Sequence, residues 1–180
     1  MDRTVWRTDT LVAAGRADLH KKLGAFGAVL AVLVFVMAYA AMLEGPHRGF
    51  VASRQDEAQI LALDVVGINV SFAMFVAGLL LRRNPASHNR LMLYGTIGMV
   101  GPAIARWPFT FIATRPPLVG IVLQSFGVAV IIFDLLTTRR VHPATWVETA
   151  TLLLVPLIAI PLSAMPFWHH LLVSPIRLLT

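Results

Sequence analysis

Cysteine is absent from all 180 residues of this chain. Disulfides, thiolate metal centres, iron–sulfur clusters and covalently attached c-type haem are therefore excluded. Charge is scarce as well: Asp, Glu, Lys and Arg supply 13% of the residues, against the ~25% usual for soluble domains. No Walker A loop, dinucleotide glycine fingerprint, HExxH or GxSxG stands anywhere in the sequence. Soluble cofactor and hydrolase chemistry thus has no motif to rest on, and no catalytic residue is assigned. What the chain does have is apolar surface. Hydrophobic residues make up 57% and the mean hydropathy is +0.75, which leaves too little polar surface to cover a water-soluble globule. The composition predicts an all-α, polytopic membrane protein whose first partner is the lipid bilayer.

A hydrocarbon core ~30 Å thick calls for roughly 20 apolar residues at ~1.5 Å rise each. Five segments meet that length: 23–43, 60–81, 91–113, 118–136 and about 146–165, after a polar segment 1–22. Pro156 and Pro161 interrupt the last of them. Its start resembles a capping box, with Thr145 as N-cap and Glu148 reaching back to it. Asp18 and Ser87 are the corresponding caps expected before the first and third helices. The basic residues, apolar run and Ala38-Tyr39-Ala40 also resemble a signal peptide, but the run is long enough to span, so a retained first helix is expected.

The net charge of +6 is spread in short clusters between the apolar runs, which argues for orientation in a bilayer and against nucleic acid. Ten basic residues (Arg3, Arg7, Arg16, Lys21, Lys22, Arg82, Arg83, Arg90, Arg139 and Arg140) fall on one side, and four (Arg48, Arg54, Arg115 and Arg177) on the other. The positive-inside rule then places the amino terminus in the cytoplasm. Trp107, Phe167 and Trp168 are expected at the outer interface, where amphipathic rings belong, and His169 and His170 beside them. A short internal repeat is also visible: His20-Lys21-Lys22-Leu23 through Gly27 lines up with His88-Asn89-Arg90-Leu91 through Gly95, 68 residues later. Two parallel hairpins of that length would account for it.

Polar residues inside apolar runs are the candidate functional positions. Asp64 in the second helix and Arg106 in the third fall at similar depth in the outer third of the bilayer. Pairing removes most of the cost of roughly 2.5–3.5 kcal/mol that each ionisable group carries at the membrane centre. Asn69 and Ser71 extend this intramembrane polar site inward; a purely structural bridge is the competing reading. Gly95, Gly98, Gly101 and Pro102 give the third helix a small face, suited to close packing or to bordering a cavity. Asp134, near Arg139 and Arg140, reads as half of a rim salt bridge. His20, His88 and His142 precede helices entering from the cytoplasmic side. His20 and His88, from different helices at one level, meet the crude test for a bis-histidine b-type haem. No other metal site is expected.

Three stretches carry a family resemblance: Arg16-Ala17-Asp18-Leu19-His20-Lys21-Lys22-Leu23-Gly24, His88-Asn89-Arg90-Leu91-Met92-Leu93 leading to Pro102-Ala103-Ile104-Ala105-Arg106, and Arg140-Val141-His142-Pro143-Ala144-Thr145-Trp146. In this order and spacing the chain resembles a family of uncharacterised bacterial multi-helix inner-membrane proteins, from about Leu11 to Trp146. The resemblance implies a helical inner-membrane fold and marks His20, Asp64, His88, Arg106 and His142 as pattern positions. It also implies a further helix before Leu11, where this sequence has the polar Met1–Thr10; a haem site using that helix would lack it here. The expectation is a five-helix inner-membrane protein, either a non-enzymatic interaction subunit or a small transporter-like bundle, acting as a homo-oligomer or with a membrane-protein partner. The alternative is a membrane redox protein holding haem b.

Overall fold

The computed structural model describes residues 17–44, 57–105, 111, 117–168 and 170. Its elements are α1 (Ala17–Glu44), α2 (Glu57–Leu80), α3 (Pro85–Ala105), α4 (Pro117–Thr138), α5 (Pro143–Ser163) and the short α6 (Pro166–Trp168). Among the described residues there is no strand. Two compact units divide the chain, residues 1–37 and 38–180. In the first, Phe26, Val29 and Val36 of α1 are exposed, an apolar surface that suits hydrocarbon and not water. Residues 22–43, 58–80, 118–138 and 143–163 are each long and apolar enough to cross a membrane. The protein is a multi-pass membrane helix bundle.

The expected span over 91–113 is realised differently. The helix α3 begins six residues earlier, at Pro85, and is described to Ala105. It does not join the four apolar spans among the described residues. Its polar first turns, Pro85 to Arg90, explain why, since the apolar run starts only at Leu91; α3 also packs against α2, α4 and α5, so much of its surface meets protein. Tyr94, Ile97 and Ile104 are buried there.

Local chemistry sets the short connections. Asn84 accepts the Ser87 N–H at 3.4 Å through Oδ1, and Pro85 follows as the first helical residue, a pairing that starts a helix without wasting a donor. Asn84, and not Ser87, is therefore the cap, and Asp18 likewise lies inside α1. The N-cap of α5 is His142, whose ring Nδ1 accepts from Ala144 N–H at 3.2 Å, with Pro143 next. This replaces the expected Thr145–Glu148 capping box: proline at the first position shifts the start three residues upstream and leaves both side chains inside the helix. Arg139 closes α4 with φ 55°, a left-handed residue at a helix end. The α2–α3 and α4–α5 connections lie at one end of the antiparallel bundle, called here the loop end.

Small residues decide how closely α2 and α3 approach. A Cβ on Gly95 would sit 3.1 Å from the Ser71 carbonyl oxygen, and one on Gly98 would overlap Ser71 Oγ. We expect Gly98→Ala to lose ~1–3 kcal/mol through overpacking, although alanine favours a helix by ~1 kcal/mol over glycine. Adding Ser71→Ala should recover part of that loss in thermal unfolding in detergent.

Two buried clusters order the rest. Met42, Ala58, Leu61, Ala62, Ala159 and Trp168 pack at the end away from the loops. Met74, Tyr94, Ile97 and Leu152 pack nearer the loop end. Trp168 is only 4% exposed and donates its indole N–H to the Ala58 carbonyl at 3.1 Å. It is a core residue and not the interfacial ring expected from sequence; Phe167, at 59% exposed, keeps the outward position. Trp107 and His169 lie outside the described residues.

Candidate functional site

Antiparallel packing brings the far-end halves of α2, α3, α4 and α5 around a cavity of about 460 Å³, within the ~300–1,000 Å³ range of ligand pockets. Its walls are largely apolar, with Gln59, Asp64, Ser71 and Gln124 as polar points. The small face of α3 makes the room, because Gly98, Gly101 and Pro102 all line it. Two prolines add hydrogen-bonding capacity. Pro102 lacks the N–H that would bond the carbonyl of Gly98, and Pro156 lacks the one for Leu152. Both Gly98 and Leu152 are lining residues. The apparent interruptions of the third and fifth segments are thus features of the cavity wall.

The structure divides the polar residues expected to act together. Asp64 and Ser71 line the cavity. Asn69 does not: it donates to Tyr39 Oη at the end of α1 and to the Val65 carbonyl at 2.8 Å. Five residues on from Asp64, Asn69 falls on a different face of α2. Arg106 lies outside the described residues. So does the side chain of His20, although its backbone is helical. His88 is half-buried and its Nδ1 is 2.7 Å from the Gly78 carbonyl, which ties the start of α3 to the end of α2. Both histidines lie within helices, and only His142 precedes one.

A second polar group, missed from sequence, occupies the loop-end half. Asp134 is fully buried. One carboxylate oxygen accepts from Arg90 Nη2 at 2.5 Å; the other accepts from the Thr145 hydroxyl at 2.6 Å and the His142 backbone N–H at 3.0 Å. Arg90 also donates through Nε to Thr145 Oγ1 at 3.0 Å. The expected rim salt bridge with Arg139 and Arg140 is therefore an internal one with Arg90, because the Asp134 carboxylate turns toward α3 and the start of α5. One turn beyond Thr145, Glu148 is 2% exposed, and neither of its carboxyl oxygens has a hydrogen-bond partner among the described residues. Next along α5, Thr149 meets Tyr94 Oη at 2.7 Å.

Against family models, curated proteins and solved structures, the chain has no match. Function must therefore be argued from the geometry alone. Read from the far end, that geometry is a half-open apolar chamber, a floor at Ser71, Gly98, Gln124 and Leu152, then Tyr94–Thr149, Glu148 and the Arg90–Asp134 bridge. Polar groups in lipid-embedded bundles are costly, which makes such a series the candidate functional site. Among the described residues no group of three or more His, Asp or Glu could hold a metal ion.

Proposed function

We propose that this is a bacterial inner-membrane protein of five spans, similar to the uncharacterised family its motifs resemble, with the amino terminus in the cytoplasm. It works as a small transporter-like bundle rather than as an enzyme. The observation that carries this reading is the cavity among α2, α3, α4 and α5. Its apolar walls, few polar points and proline-released carbonyls suit a small amphipathic molecule that offers hydrogen-bond donors. Exposed apolar residues on α4, such as Phe133 and Leu136, face lipid or a second membrane chain. In this orientation the loop end is cytoplasmic and the cavity belongs to the outer half.

The cysteine-free sequence permits clean labelling tests. On intact cells, an impermeant thiol reagent should modify Arg54→Cys and spare Ser87→Cys; the reverse pattern inverts the orientation. The same reagent should reach Leu123→Cys inside the cavity and spare Ile132→Cys, an exposed apolar position on α4. An unreactive Leu123→Cys would favour the interaction-subunit reading, and a Soret band at near-stoichiometric haem in the purified protein would favour the redox one.

A further inference from the structure

Glu148 is the buried group that the cavity alone does not explain. A carboxylate in a low-dielectric interior requires donors or a counter-charge, because its desolvation is otherwise uncompensated. Asp134 has three donors of this kind, Arg90, the Thr145 hydroxyl and the His142 backbone N–H. Glu148 has no hydrogen bond to either oxygen among the described residues. The same arginine acts on it electrostatically, but the adjacent Asp134 carboxylate opposes that effect.

Its surroundings are connected to the chamber. Thr149, the next residue, shares a 2.7 Å hydrogen bond with Tyr94. Thr149 Oγ1 and Gln124 Oε1 both border the notch at Gly127, 3.7 and 3.9 Å from where a Cβ would stand. Gln124 in turn lines the cavity. On the opposite side lie Asp134, Arg90 and the cap residue His142 at the loop end. The groups around Glu148 that carry or exchange charge are Arg90 and Tyr94 of α3, Asp134 of α4 and His142 at the head of its own helix. Residues 65–80 of α2 contribute none.

We propose that Glu148 is a proton-exchange site, receiving and releasing a proton by way of the cavity, with water as the carrier past Gln124 and the Tyr94–Thr149 pair. The bound proton supplies the neutralisation that no hydrogen-bond donor provides among the described residues, and it leaves to water that enters from the chamber. This deepens the transporter-like reading and rests on it, since it makes the bundle proton-coupled.

Infrared spectroscopy of the full-length protein in lipid vesicles tests this directly. The chain has three glutamates, Glu44, Glu57 and Glu148, so carboxyl-labelled glutamate separates them from every aspartate. A carboxylic-acid carbonyl band that shifts with the label, responds to deuterium exchange and is lost in Glu148→Gln is expected. Filling the chamber with Gly101→Phe should slow its exchange, whereas sodium at constant pH should leave the band unchanged. The absence of a labelled acid band, its persistence in Glu148→Gln, its displacement by sodium or an exchange rate unaffected by Gly101→Phe would each overturn the proposal. Should Glu148→Gln fail to fold, the labelled wild-type band and Gly101→Phe still decide it. Loss of Leu123→Cys labelling with this band intact would instead locate the failure in the transporter-like reading.

Discussion

Asp134→Ala is expected to cost ~3–5 kcal/mol of stability, the range for breaking one side of a buried ion pair. The substitution strands three donors at once: Arg90, the Thr145 hydroxyl and the His142 backbone N–H. Two of these fix the first turn of α5, so the loss should loosen the α4–α5 connection as well. Arg90→Met should be milder, because Asp134 keeps Thr145 and His142. The arginine side chain is also 18% exposed, so part of its interaction is screened by solvent or headgroups. The double variant Arg90→Met with Asp134→Leu should recover much of the loss, since replacing both partners can be nearly neutral. A double-mutant cycle on unfolding in detergent reads the coupling. Additivity within ~0.5 kcal/mol would show that the two side chains do not interact.

Trp168→Ala should lose a similar amount, about 3–5 kcal/mol, as a large aromatic leaves a packed cavity. The reasoning holds in a membrane because close packing, more than water exclusion, joins helices there. Trp168 ties the segment after α5 to the start of α2 through Ala58 and packs with Leu61, Ala62 and Ala159. Trp168→Phe keeps most of the contact and loses the hydrogen bond, at about 1 kcal/mol. If the alanine variant were as stable as the phenylalanine one, Trp168 would be an interfacial ring and the far-end core would be wrongly drawn.

The membrane class was legible because apolar runs of spanning length leave few alternatives. Segment positions were legible to a few residues, since apolar residues and the adjoining Pro, Gly and basic residues bound each run. Caps were not: Asn84 and His142 win over Ser87 and Thr145 because Pro85 and Pro143 fix the first helical residue. Side-chain direction was the larger gap. Depth along a helix follows from 1.5 Å per residue, so Asp64 could be placed in the outer third of the bilayer with Ser71 farther in. Which way Asn69, Asp134 and Trp168 point depends on neighbours far along the chain. Charge spacing could have revealed the inner bridge, because Arg90 and Asp134 lie at comparable distances from the two short loops. The exposed-looking Arg139 and Arg140 offered a nearer partner and hid it. Glu148 was hidden by a capping motif whose spacing it satisfied by chance.

Two-sided access to the cavity is the property that separates a transporter-like bundle from a one-sided pocket. Alternating access requires the chamber to be reached from either face at different times. The most direct measurement is the reactivity of Leu123→Cys toward an impermeant thiol reagent in right-side-out and inside-out vesicles of the same preparation. Labelling from both sides, reduced in each by Gly101→Phe, is the result expected here. Labelling from one side alone, or from neither, would contradict it.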